Sequence, residues 1–444
     1  MPRRYPDSPV LYRRLDREYP LIVRGEGCWL IDDAGRRYLD GCGGAYVACL
    51  GHGVAEVVEA VADQMRRVGF VSGLNFTNRA VEELAEEMAG LAVGDLSHFY
   101  FLSSGSDAVE AALKLARQYW VERGRPDKQR IVALTPGYHG NTLLTLSAGG
   151  REHYKKYFQP WLTEVVQVPA PYPYRCSCRG EDPSCGRCGG TVLEDILLRV
   201  GPEKVAAFIA EPVGGSSTGG SVPRDDYWRT VRDICTRHEV LWIADEVLVG
   251  AGRTGTWSAL EPYLAVPDIQ VMGKGLSGGY VPLASVAAPR RIVDVLARGP
   301  KALSHAQTFS HTPMMCAAGV AAIRHIRQHN LIARCAEMGR VLHRKLEVLR
   351  GLPWVGDIRG RGLLAGVEFV RDKESRAPFA REERFVERFT AAAEGAGLLV
   401  WPNTGHADGS NGDLVMLAPP YIITEAEIDE IVGRFCRALE AVSS

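Results

Sequence analysis

No stretch of this chain reaches the roughly 18 uninterrupted apolar residues that a membrane-spanning helix needs. No transmembrane segment is therefore expected. An excess of either charge is also missing: 52 lysines and arginines stand against 53 aspartates and glutamates, with no long basic run. That balance argues against nucleic acid as a partner. Repeats and low-complexity tracts are absent. Residues 1–20 carry no apolar stretch behind their arginines, so they do not read as a secretory leader. The 11 cysteines are odd in number and mostly scattered, which argues against a disulfide framework and for a reducing, cytoplasmic setting.

What is present is a globular composition, 46% hydrophobic and 24% charged, in a chain of 444 residues. That length exceeds what one hydrophobic core usually supports, so at least two domains are expected. Early strand-like pieces at Cys28–Ile31 and Arg37–Leu39 precede a helical pattern with Val54, Val57, Val58, Val61, Met65 and Val68 on one face. From Ser97 to about Val286, short apolar runs alternate with amphipathic stretches. The runs are Phe99–Leu102, Ile131–Leu134, Val205–Ala210, Val240–Ala244, Ile269–Met272 and Leu283–Ala287. Between the first two lies a helix with Val109, Ala112, Leu113, Ala116 and Trp120 at helical spacing. Alternation of this kind predicts an α/β domain with a mixed, mostly parallel sheet. The C-terminal part reads as a smaller α+β unit, closed by a helix that opens on the capping box Thr424–Glu427.

In open α/β sheets, ligands bind beyond the carboxyl ends of the strands. The residues that follow the runs are therefore the candidates: Ser103–Asp107, then Gly137–Gly140, then Glu211, then Asp245–Val247, then Gly273–Gly275. Five strand ends thus deliver a glycine-bearing helix start, an aromatic, carboxylates and a lysine. This set suits pyridoxal 5′-phosphate (PLP), an aldehyde cofactor that captures amines as imines and then withdraws electrons. Lys274, between two glycines, is placed for the imine. Asp245 suits a charged partner for the pyridine nitrogen. Gly105 and Ser106 at a helix N-terminus suit the phosphate, and Tyr138 offers a flat face for the ring.

The chain resembles the class III aminotransferases, most of all their ω-transaminase branch. The resemblance runs from residues 19–27 to residues 419–424. It is carried by SGSDAVEAALKLAR (104–117), GYHG (137–140), AEPV (210–213), ADEV with GRTG (244–247, 252–255), GKGLSGGYVPLAS (273–285) and QTFSHTP (307–313). It implies PLP-dependent transferase fold type I, with a large PLP-binding domain over 64–326 and a small discontinuous domain made of 1–63 and 327–444. It implies Lys274 as the lysine of the internal aldimine, Asp245 on the pyridinium nitrogen, Gly105 and Ser106 on the phosphate, and Tyr138 and Val247 on the two ring faces. Glu211 is implied near the substrate side. Thr308 is implied to reach the phosphate of a neighbouring subunit, hence a homodimer or dimer of dimers. The activity implied is transamination between a primary amine or ω-amino compound and an oxo acid or aldehyde. Other reactions on the same scaffold stay open: decarboxylation, phospho-lyase elimination, amino-group migration and racemisation.

Three positions depart from the family pattern. Asp107 stands where Glu is common, and Leu248 where some members have a glutamine that bonds the cofactor's ring hydroxyl. Met416 stands where many amino-acid-acting members carry an arginine before the Pro-Pro pair. Residues 401–413 contain no arginine either, and His406 is the only cation candidate there. Tyr46 and Phe76 are expected with Met416 around the substrate. From these departures, amines are expected to be preferred over α-amino acids as donors, with the acceptor carboxylate held weakly or by an arginine the sequence does not reveal. Lys274 must act as a neutral amine, and a cationic ring beside it is the expected cause of a lowered pKa.

Last, Cys176 and Cys178 precede Cys185 and Cys188 in a Pro- and Gly-rich stretch. A CxC followed by a CxxC matches a four-thiolate zinc site. The alternative is free thiols, or a disulfide, in a variable insertion.

Overall fold

The computed structural model describes residues 3–443. Three N-terminal strands, β1 (Ile22–Glu26), β2 (Trp29–Asp32) and β3 (Arg37–Asp40), form an antiparallel meander. The central sheet follows with β4 (Leu96–Leu102), β5 (Arg130–Thr135), β6 (Val166–Pro169), β7 (Val205–Ala210), β8 (Leu241–Glu246), β9 (Ile269–Met272) and β10 (Ala284–Pro289). Its spatial order is β4-β10-β9-β8-β7-β5-β6. Only β10 runs antiparallel to its neighbours, so the other six strands end on one edge. A last group comprises β11 (Val355–Gly360), β12 (Ala365–Phe369), β13 (Leu398–Leu399), β14 (Trp401–Thr404) and β15 (Asp413–Leu417). Four of these make an antiparallel sheet in the order β11-β12-β15-β14. β13 instead pairs in parallel with β3, which ties the start of the chain to its end.

Six of the seven central strands coincide with the apolar runs of the sequence. Every residue of β7, β8, β9 and β10 is buried, as a sheet covered on both faces requires. The edge strand β6 has only four residues, ends in Pro169 and has no long apolar run to announce it. The helix Gly105–Glu122 buries Val109, Ala112, Leu113, Ala116 and Trp120 against one face of this sheet. On the other face Trp228 stacks on Trp242 at 5.2 Å between ring centroids. The helix Ala55–Arg67 departs from its expected face. Val57 is buried, and Val54 and Val61 pack on the core, but Val58 and Met65 are exposed and Val68 lies past the helix end. The capping box is formed: Thr424 N donates to Glu427 Oε2 at 2.9 Å, and Glu427 N to Thr424 Oγ1 at 3.2 Å. No helix among the described residues is long and apolar enough to cross a membrane.

Candidate active site

A cavity of ≈ 440 Å³ opens at the carboxyl edge of the central sheet, within the size range of small-molecule sites. Five strand ends reach it with side chains. Beyond β4, Ser104 caps the helix Gly105–Glu122 by accepting from Asp107 N at 3.2 Å, which leaves Gly105 and Ser106 in the first turn beside the cavity. Asp107 also accepts from Gln307 Nε2 at 3.0 Å, so the shorter acid keeps a structural role. Gly105 is required here by close approach: a Cβ on it would lie 2.7 Å from Val247 Cγ1.

Beyond β5, Tyr138 lines the cavity with its backbone N–H bound to Glu211 Oε2 at 3.1 Å. Glu211, beyond β7, also accepts from Gly215 N at 3.1 Å. Burial pushes its carboxyl above the usual range. At the end of β8, Asp245 accepts from His139 Nδ1 at 2.8 Å and from Val247 N at 3.1 Å. His139 is fully enclosed. Burial alone would lower its pKa, but the hydrogen bond and charge of Asp245 outweigh that and raise it. His139 is thus the partner that fixes Asp245.

Lys274 follows β9 in a left-handed conformation, φ 43°, unusual for a non-glycine residue. Its Nζ lies 5.9 Å from the Tyr46 ring centroid and has no hydrogen-bond or ion-pair partner among the described residues. Burial lowers its pKa, with Asp245 and Glu211 opposing.

The substrate side differs from what the sequence suggested. Tyr46 does line the cavity, tilted on Trp401 at 5.5 Å, and its hydroxyl is buried without a partner. Phe76 does not: it is exposed on the loop before the helix Arg79–Ala89. Met416 does not either. It sits in β15, fully buried behind the cavity with Leu414 and Ala418. Residues 401–413 form a hairpin between β14 and β15, and His406 turns away to stand 3.1 Å from Glu368. Leu248 lines the cavity, packed with the Tyr46 cluster. Thr308 is exposed and lies outside the cavity of its own chain.

Sequence reasoning missed two arginines that line the cavity, Arg13 and Arg151. Arg13 is exposed, whereas Arg151 is 7% exposed. Its Nε donates to Ser217 Oγ at 3.1 Å, Nη1 to the Tyr154 hydroxyl at 2.9 Å and Nη2 to Ser216 Oγ at 2.9 Å. The guanidinium lies 5.6 Å from the Tyr138 ring centroid. No carboxylate of the described residues pairs with it. The only signal in the sequence was proximity, since Arg151 follows GYHG by a single short helix, Leu143–Ala148.

The site fits PLP on its own terms. It has one buried amine without a partner, one carboxylate held in orientation by two donors, free amides at the start of an 18-residue helix, and an aromatic wall.

Comparison with known proteins agrees. The profile of the family described as Aminotransferase class-III matches residues 13–439. An uncharacterized aminotransferase of Schizosaccharomyces pombe is 39% identical over 97% of this chain and 94% of its own length. The putrescine–pyruvate aminotransferase of Pseudomonas aeruginosa is 33% identical over 96% of this chain and 91% of its own. The crystal structure of a thermostable (S)-enantioselective ω-transaminase from Thermomicrobium roseum superposes with a TM-score of 0.89 at 35% identity, covering 96% of this chain and 94% of that one.

Proposed function

We propose, because this chain belongs to the class III aminotransferases, that its transamination joins a terminal amine as donor to an oxo acid whose carboxylate is seated by Arg151. Transamination itself, and PLP as its cofactor, come with the family. PLP when bound supplies an aldehyde that captures amines and a ring that withdraws electrons.

The residues of this chain do the rest. Lys274 would hold the cofactor. Its Nζ would then be the base that moves a proton at the substrate carbon, and enclosure favours the neutral form this requires. Asp245, oriented by His139 and Val247 N, presents a fixed anion for a protonated ring nitrogen. Gly105 and Ser106 would take the phosphate, Tyr138 and Val247 the ring faces, and Glu211 would border the substrate side.

Arg151 carries the substrate reading. A buried guanidinium favours a planar carboxylate that it can bind with two parallel N–H donors. Its present partners are three neutral hydroxyls, which satisfy it when the bound substrate has no carboxylate. One cavity can therefore take a charged acceptor and an uncharged donor in turn without a moving arginine. The partner-facing residues support a homodimer or dimer of dimers. Leu74, Phe76, Phe70 and Phe309 are all exposed, Phe70 meets Phe309 at 6.1 Å, and Thr308 directly precedes Phe309. The odd number and scatter of the 11 cysteines support a cytoplasmic setting.

The test is a donor panel with pyruvate: a terminal diamine, an arylalkylamine, alanine with 2-oxoglutarate as acceptor, and glutamate. A terminal amine should give the highest kcat/KM. An α-amino acid ahead by tenfold, about 1.4 kcal/mol in transition-state binding, would overturn the donor reading. Donor consumption without amination of the acceptor would point to another reaction of the same cofactor.

A further inference from the structure

Outside the lining of the cavity, the insertion between β6 and β7 gathers four cysteines that the transaminase chemistry does not use. Cys176 and Cys178 lie on one turn. Cys185 and Cys188 lie at and within the short helix Gly186–Gly189. Their sulfurs all lie within 4.8 Å of one another. Cys178 Sγ is 3.3 Å from Cys176 Sγ and 3.3 Å from Cys188 Sγ, and Cys176 Sγ is 3.7 Å from Cys185 Sγ.

We infer that Cys176, Cys178, Cys185 and Cys188 bind one structural zinc ion. A tetrahedral ion with bonds of about 2.3 Å holds its sulfurs about 3.8 Å apart, which is the scale of this cluster. The separations are far beyond a disulfide bond of about 2.0 Å. Cys178 is equally close to Cys176 and Cys188, as a shared central ion would place it. The backbone is shaped as a thiolate site requires. Arg179 and Gly180 both take left-handed conformations, and the turn they make aims Gly180 N at Cys178 Sγ, 3.3 Å away. N–H donors of this kind offset the negative charge of bound thiolates. Arg224 adds a cation beside the loop, with Nη1 bound to the carbonyls of Asp182 and Pro183 at 3.1 Å each. Four protein ligands close the coordination sphere, so the ion is structural and takes no part in amino transfer.

The position explains what such an ion would hold. The loop has no core of its own, yet its first arm carries Tyr172 and Arg175 to the buried Glu368 of β12, at 2.5 Å and 2.7 Å. Cys176 is the residue after Arg175, and Arg187 beside Cys188 ties the far arm to Ala170 O at 2.7 Å. A zinc ion would fasten both arms and so brace the contact between the central sheet and the sheet of β12.

Metal analysis of the PLP-loaded enzyme, purified from zinc-supplemented cells and passed through mild chelator, should find near one zinc per chain. Titration with a mercurial reagent should release that zinc as the thiols react. Cys178→Ser with Cys188→Ser should lose the metal, whereas Cys235→Ser and Cys316→Ser, buried elsewhere, should keep it. Should the double variant not fold, the zinc content and mercurial release of the unaltered enzyme still decide. Zinc far below one per chain, with the four thiols open to alkylation in the native protein, would overturn the inference. So would a disulfide-linked peptide spanning any two of them, or iron in place of zinc.

Discussion

Replacing Arg151 by glutamine tests the substrate reading most directly. The change removes the positive charge but keeps a side chain able to reach one of the hydroxyls of Ser216, Ser217 and Tyr154, which now take all three of the arginine's bonds at 2.9–3.1 Å. If Arg151 seats the acceptor carboxylate, two charge-assisted hydrogen bonds in an enclosed site are lost, at a cost of about 3 kcal/mol. That corresponds to a fall of about a hundredfold in kcat/KM for pyruvate. For an uncharged aldehyde acceptor only a neutral contact is affected, worth about 1 kcal/mol, so a fall of about fivefold is expected. The assay is steady-state amination of the two acceptors with one terminal amine, with cofactor content and circular dichroism shown to be unchanged. Equal losses for the acid and the aldehyde would refute the argument, since Arg151 would then act only by holding the loop of Ser216 and Ser217.

Three further perturbations follow from the same geometry. Lys274→Ala should abolish turnover, and borohydride reduction of the unaltered enzyme followed by peptide mapping should place the pyridoxyl label on Lys274; a label on Lys301 or another lysine would displace the assignment. Asp245→Asn should keep the fold and lower kcat by about a hundredfold or more, because the fixed anion is lost while the contact with His139 can persist; near-normal turnover would mean that another group serves the ring nitrogen. Glu368→Gln should lower stability by about 3–5 kcal/mol, since it leaves Arg175 without its buried counter-charge and Arg359 with Asp357 alone. Burial opposes ionisation of Glu368, but His406, Arg359 and Arg175 hold its carboxyl well below the ordinary range. The stabilisation is therefore fully present above the unfolded value near 4.3 and is lost only as pH falls through the depressed folded value. The gap between the two proteins in denaturant titrations should be constant from neutral pH to about 5 and narrow only at strongly acidic pH; a gap that closed between pH 7 and 5 would contradict this sign.

The convergence of strand ends on the cavity was legible in the sequence because each part of it is local. A strand must be apolar to be buried, and the residue that follows it must stand at the sheet edge, so Ser106, Tyr138, Glu211, Asp245 and Lys274 could be read off the ends of successive runs. The cap of Ser104 and the box of Thr424 and Glu427 are set by residues three apart and were equally readable. The substrate end was not local. Met416 and His406 looked decisive by their place near the Pro-Pro pair, but strand register buries Met416 opposite Gly366 and Trp401, and a charge on β12 captures His406. Arg151 carries no motif. Its meaning depends on Ser216 and Ser217, more than sixty residues later, and on the absence of a paired carboxylate among the described residues. His139 likewise became part of the site only when β8 set Asp245 beside it. The cysteine spacing was visible in one dimension, while the convergence of four sulfurs into one cluster is a property of the folded loop. The sequence by itself determined the elements, their order and the chemistry at their ends, because backbone geometry and burial act over a few residues. The tertiary structure alone decided which distant side chains share one enclosed space, because charge pairing and desolvation act through space and not along the chain.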